Sequence, residues 1–316
     1  MSSTPCFPTF SPSSALLAFA VSAAMAGCAV TDGDGSAATT EDLKGPVAAR
    51  PPMGWSSWNT FACNIREDLI HAQADALVTS GMRDLGYVYV NLDDCWMAPE
   101  RDANGDLQAD PVRFPSGIAA LANAMHARGL KLGIYSSPGP QTCMGRGLQG
   151  ITTGHHPGSE GHEVQDAARF ASWGVDYLKY DRCTAPKEDA ERRFSLMHDA
   201  LASTGRRIVY SINPDGATAL KPWSTYANLW RTTPDVDPTW HQMWWSEGWW
   251  STGIIDIVDQ NEPRYADASP GHWNDPDMLE IGVSKPYLWT HLQLSDVEAR
   301  TQPGFRVRLE DRPMVA

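Results

Sequence analysis

The sequence predicts an α/β fold whose parallel strands close into a TIM-type (β/α)8 barrel, and three observations carry that prediction. A unit of helix, glycine and strand recurs four times in succession between residues 67 and 212. The strands are short and rich in β-branched or aromatic residues, as strands buried on both faces are. Polar residues gather at the carboxyl end of nearly every strand, whereas an open doubly wound sheet would concentrate them at one switch point.

The elements follow in order. Residues 53–58 form the first strand. Apolar residues at helical spacing fill 67–80, Gly81 ends that helix, and 87–92 (YVYVNL) form the second strand. The unit repeats as 118–128, Gly129 and 130–135; as 163–173, Gly174 and 175–180; and as 192–204, Gly205 and 208–212. Each glycine stands where a left-handed helix stop is wanted. Residues 227–231 and 278–281 add two strands, making seven. Trp240, Trp244, Trp245, Trp249 and Trp250 have partly helical spacing; they read first as a packed helix and second as a platform for sugar rings.

Composition bounds the function. The chain has 316 residues, a net charge of -13 and no clustered Lys or Arg, which excludes a nucleic-acid binder. No apolar stretch reaches the roughly 20 residues that span a bilayer. Residues 15–27 are almost wholly apolar and fit the core of a signal peptide, although the first basic residue is Lys44. The stretch Met25-Ala26-Gly27-Cys28 resembles a bacterial lipoprotein cleavage box. The expectation is a signal peptide at 1–27, a lipid on Cys28 that attaches the protein to a membrane, and a small, polar, acidic linker at 28–50. That places the protein in the periplasm or on the cell surface, or otherwise secreted. Cleavage removes Cys6, and Cys63, Cys95, Cys143 and Cys183 are left to bridge in any of three pairings.

The strand ends supply the chemistry: Trp58, Asp93 and Asp94, Tyr135, Asp181, Asn213, Arg231, Asp275 and Asp277. Lys179 and Asp181 share one face of a strand, so the cation would keep the acid ionised, as a nucleophile requires; a structural ion pair is the plainer alternative. Asp93 and Asp94 would grip sugar hydroxyls or a metal, or cap a helix. Asp235 lies on a loop past the strand of Arg231 and could act as a general acid, and Asp237 is equally placed by spacing. HExxH, CxxC and GxSxG are absent. Residues 145–150 match GxGxxG, but no helix follows to hold a pyrophosphate. His155 and His156, in a Gly-rich loop, read as surface. Paired carboxylates with aromatics are the equipment of a glycosidase, and no cofactor or metal is implied.

From Pro52 to about Gly282 the chain resembles the glycoside hydrolase family of α-galactosidases and α-N-acetylgalactosaminidases (melibiase-like). The matching stretches are PPMGWSSWNTFACN, YVNLDDCWMAPERDANGDLQADPVRFPSGI, GLKLGIYSSPG, GVDYLKYDRC and WNDPDMLEIG. The resemblance implies a retaining mechanism on galactosides, with Asp181 as nucleophile and Asp235 as acid/base. It implies hydroxyl contacts from Asp93, Asp94, Lys179 and Arg231, an aromatic wall from Trp58 and Tyr135, and the bridges Cys63–Cys95 and Cys143–Cys183. Asn213 is counted with the substrate binders from its place at a strand end.

Two departures stand out. After the fifth strand, where many members carry a Cys-Glu-Trp or Cys-Ser-Trp segment, this chain has Ser211-Ile212-Asn213-Pro214-Asp215-Gly216. Galactose, N-acetylgalactosamine and β-L-arabinopyranose therefore stay open as the bound sugar. After Gln302 the family would continue with strand eight and an antiparallel β domain; residues 303–316 are basic and Pro-bounded instead. The expectation is an incomplete barrel over 51–302 that lacks strand eight and that domain, followed by an atypical tail. Two alternatives from other classes are an Mg²⁺-dependent barrel using Asp93, Asp94, Asp181, Asp275 and Asp277, and an inactive carbohydrate-binding remnant.

Overall fold

The structure, a computed structural model, describes residues 46–145, 156–214, 223–241, 243–246 and 249–279. The signal peptide, Cys28, most of the linker, residues 146–150 of the GxGxxG match and the tail lie outside the described residues.

Seven parallel strands form one sheet: β1 (Met53–Ser56), β2 (Tyr87–Asn91), β3 (Lys131–Ser136), β4 (Tyr177–Asp181), β5 (Val209–Asn213), β6 (Leu229–Arg231) and β10 (Trp273–Asp275), hydrogen-bonded in that order. Four helices alternate with the first strands, α2 (Glu67–Thr79), α3 (Gly117–His126), α4 (Glu163–Trp173) and α5 (Ala190–Ser203), at the places the periodicity predicts. The four glycines that follow them, Gly81, Gly129, Gly174 and Gly205, all take positive φ, between +71° and +81°. That is the left-handed conformation in which only glycine escapes a Cβ clash.

The sheet curls. Met53 and Gly54 of β1, Tyr177 of β4, Leu229 of β6 and Asp275 of β10 all face one central cavity. The chain before β1 runs past the amino-terminal ends of the strands, where Ala48 O accepts from Trp273 Nε1 at 2.8 Å and from the Gly271 N–H at 3.0 Å. Gly54 lets β1 and β2 approach closely, because a Cβ there would strike the backbone of Tyr89.

Side-chain alternation divides each strand between two interiors. Val90, Leu132, Ile134, Leu178, Tyr180, Ile212 and Trp230 face outward onto the helices and pack with Ile70, Leu77, Leu121, Phe170, Phe194 and Met197. Tyr89, Tyr177, Val209 and Leu229 face inward and form an apolar cluster with Trp273. One register step further along, the inward positions become polar.

Three elements differ from expectation. β1 ends at Ser56, and Trp58 opens a one-turn helix, α1 (Trp58–Phe61). The seventh barrel strand is Trp273–Asp275, ending where Pro276 has no N–H to continue the ladder; of the expected strand 278–281, residues 278 and 279 are not in a strand and 280 and 281 lie outside the described residues. The Trp run is not helical. β8 (Met243–Ser246) and β9 (Trp249–Gly253) pair antiparallel with Trp245 opposite Trp250, and β9 pairs with β7 (Asp235–Asp237) in a second, three-stranded sheet. Adjacent Trp-Trp pairs on either side of Ser-Glu-Gly suit the pleated strand better than a helix. Beyond β9 the chain forms α6 (Ile254–Asn261), which the periodicity reading missed.

Candidate active site

The carboxyl ends of the strands enclose a pocket of about 440 Å³ lined by Trp58, Asn59, Asp93, Asp94, Tyr135, Cys143, Lys179, Asp181, Arg231, Asp235, Asp277 and Met278. Eight of the nine residues proposed from sequence as catalytic or substrate-binding meet there. Asn213 does not; it borders the central cavity beneath, beside Ser211 and Lys179.

β2 delivers the first pair of acids. The Asp93 carboxylate accepts from Lys179 Nζ at 2.7 Å and from the Asp94 N–H at 2.9 Å. Asp94 points the other way, accepting from the Cys95 N–H at 2.6 Å and the Met144 N–H at 2.9 Å. Burial pushes the Asp94 carboxyl up to about 7; the two backbone donors oppose that shift and the neighbouring Asp93 charge adds to it. Cys95, the next residue, has φ of +74°, a strained conformation for a non-glycine residue. It is bonded to Cys63, with Cα atoms 5.2 Å apart, and Cys143 is bonded to Cys183, 4.9 Å apart. These are the two pairings that the family resemblance implies, and each ties a loop beside a strand end.

β4 delivers Lys179 and Asp181. The expected Lys179–Asp181 pairing gives way to a cross-strand one, because Lys179 Nζ bonds Asp93 instead. Lys179 also stands 5.4 Å from the centroid of the Tyr135 ring. Burial works against its charge, but the Asp93, Asp181 and Asp277 carboxylates outweigh it and hold the ammonium well above its ordinary value. Asp181 Oδ2 accepts the Tyr135 hydroxyl at 3.2 Å. So Tyr135, expected as part of an aromatic wall, also orients this carboxylate. Burial pushes Asp181 up to about 6; Lys179 and Arg231 pull it down, while Asp235 and Asp93 push it further up.

β6 delivers Arg231, buried at 4% exposure. Its Nη2 lies 2.9 Å from Asp235 Oδ1 and 2.9 Å from Asp277 Oδ2. Asp235 is the first residue of β7 rather than part of a loop; of the two acids that spacing left equal, Asp235 lines the pocket and Asp237 is not among its lining residues. Asp277, named from sequence only as a strand-end acid and as a ligand of the alternative Mg²⁺ set, lines the pocket as well. Burial pushes its carboxyl up, and Arg231 opposes that.

The alternative Mg²⁺ set is interleaved with cations, since Asp93 is paired with Lys179 and Asp277 with Arg231. Cys143, Asp181 and Cys183 cluster within 4.8 Å, but both sulfurs belong to a disulfide and offer no thiolate. His156, expected on the surface, is buried, and its carbonyl accepts the Thr142 N–H at 3.0 Å.

The family described as alpha galactosidase A (Melibiase_2) matches residues 50–295. The chain belongs to this family. An α-galactosidase A of Cellvibrio japonicus is 47% identical over 239 residues, 75% of this chain and 56% of its own length. The crystal structure of α-galactosidase I from Mortierella vinacea superposes with a TM-score of 0.66 at 38% identity, covering 75% of this chain and 61% of that one. The α-galactosidase of Saccharomyces cerevisiae, solved with raffinose, gives 0.67 at 35% identity over 76% of this chain and 55% of that one. The chain spans about half the length of the curated melibiase relatives it matches. The pocket described above lies within the matched region.

Proposed function

We propose that the protein is a retaining glycoside hydrolase that removes terminal α-D-galactosyl residues. The observation that carries this reading is one pocket lined by two aspartates in opposite settings, Asp181 and Asp235, in a chain of the melibiase family. Asp181 attacks the anomeric carbon. Asp235 donates a proton to the departing glycosidic oxygen, and the sugar becomes an ester of Asp181. Asp235, now a carboxylate, takes a proton from water, and that water releases galactose with its α configuration kept. Retaining pairs work at a separation of about 5–5.5 Å, close enough for direct attack. Asp93, Lys179 and Arg231 are the charged groups facing the ring hydroxyls, and Trp58 supplies an apolar face. The relative solved with raffinose, a sugar with a terminal α-galactosyl unit, supports galactose as the bound ring.

Comparing hydrolysis of nitrophenyl α-galactoside, α-N-acetylgalactosaminide and β-L-arabinopyranoside tests the reading. The α-galactoside should be fastest, its first product should be α-galactose by NMR, and D181N should abolish turnover. A faster rate on either other glycoside, or β-galactose as first product, overturns it. The apolar run at 15–27 and the two disulfides support export into an oxidising compartment, with Cys28 as the lipid carrier. Mass spectrometry of the mature amino terminus checks that assignment; an unmodified Met1 would overturn it.

A further inference from the structure

We infer that Asp277 is a positioning residue for Asp235, holding through one oxygen atom both the arginine that pairs with Asp235 and the peptide bond that follows it. The inference rests on the reading of Asp235 as the acid/base. Asp277 Oδ2 lies 2.9 Å from Arg231 Nη2 and accepts the Val236 N–H at 2.9 Å. The same Nη2 donates to Asp235 Oδ1 at 2.9 Å. Asp235 is thus located from both ends: its side chain by Arg231, and its backbone by the bond from Asp277 to the next residue.

The chain is shaped for this. β10 ends at Asp275, whose Oδ1 accepts the Asp277 N–H at 2.9 Å across Pro276. The turn leaves Asp277 at φ +76°, a conformation that costs a residue other than glycine or asparagine. Such strain is retained where the surroundings demand it. Here it aims a buried carboxylate at Arg231 of the neighbouring strand β6 and at the backbone of β7. One guanidinium nitrogen placed between two carboxylates fixes where both of them sit.

The test uses leaving groups. In α-galactosyl fluoride the leaving group departs without a proton, whereas the sugar alkoxide of melibiose needs one. D277N keeps the size of the side chain and tolerates the positive φ; D277G tolerates it too and removes the carboxylate altogether. For both, kcat/KM on melibiose should fall about 10–100-fold while kcat/KM on the fluoride falls less than about threefold. D235A serves as the reference and should show the same selectivity more strongly. Equal losses on the two substrates in D277N and D277G, or failure of both to fold, overturn the inference, because Asp277 would then be a substrate contact or a structural residue. Equal losses in D235A overturn the acid/base reading itself, whatever the Asp277 variants do.

Discussion

Asp181 and Asp235 face one pocket from different strands, and their partners differ in kind. Asp181 accepts a neutral phenol, Tyr135, and its nearest lysine is committed to Asp93. Asp235 is bonded directly to a buried guanidinium that also serves Asp277. On the proposed mechanism these two settings suit two tasks. Asp181, which has no ion pair within 4.0 Å among the described residues, would keep its electron pair available for bond formation, and Asp235, anchored by a shared cation, would be held in place for proton exchange.

Several experiments would break or sharpen that contrast. The largest effect belongs to D181N, which should lower kcat by at least about a thousandfold, since nothing replaces the nucleophile. The same change removes a carboxyl that burial holds at about 6. Its raised value means that the group favours folding when protonated and costs stability once pH rises through 6. D181N should therefore melt at or above the wild-type temperature at pH 8, by an amount on the order of 1 kcal/mol, and show no such gain at pH 4. A lower melting temperature at pH 8 would contradict the desolvated setting proposed for this side.

R231K comes next. A lysine offers a point charge in place of a planar fork, so it cannot serve Asp235 and Asp277 in the same geometry; a loss of about 10–100-fold in kcat/KM is expected. Wild-type rates would contradict the role given to sharing. The pH profile of kcat/KM should fall on the acid side with a midpoint near 6, as the Asp181 carboxylate takes up a proton. A flat profile down to pH 4.5 would remove Asp181 from the rate equation. The smallest effect is that of Y135F. Losing the phenol costs less than about tenfold, and it moves the acid limb to higher pH, because a hydrogen bond to the ionised form is lost. A shift to lower pH would show that the hydroxyl acts on something else.

Much of this was legible in the sequence because each helix–glycine–strand unit carries its own periodicity and its own stop. Alternation along a strand then put Lys179 and Asp181 on the inner face without reference to any other element. What alternation cannot supply is the partner. Residues two apart on a strand are separated by about 6.6 Å, whereas curling of the sheet brings inward-facing groups of non-adjacent strands together, and Lys179 of β4 reaches past β3 to Asp93 at the end of β2. The seventh strand was misplaced because Met278 and the residues after it read as apolar, while Trp273–Asp275 was too short to register. The paired Trp residues were ambiguous for a related reason: spacing alone does not separate a short helix from a hairpin. Asp277 was visible only as a strand-end acid, because its contacts with Arg231 and Val236 depend on a left-handed turn that the local pattern does not specify.

The inner wall of the barrel is built in two tiers. Tyr89, Tyr177, Val209 and Leu229 make a lower ring of apolar side chains, and Tyr135, Lys179, Asp181 and Arg231 stand on the tier above. Foundation and workshop are therefore stacked along the same strands. On the proposed function, exchanging side chains upstairs would redirect which sugar is accepted while the ring below continues to knit the sheet, so new selectivity would be open to small steps that leave the architecture alone.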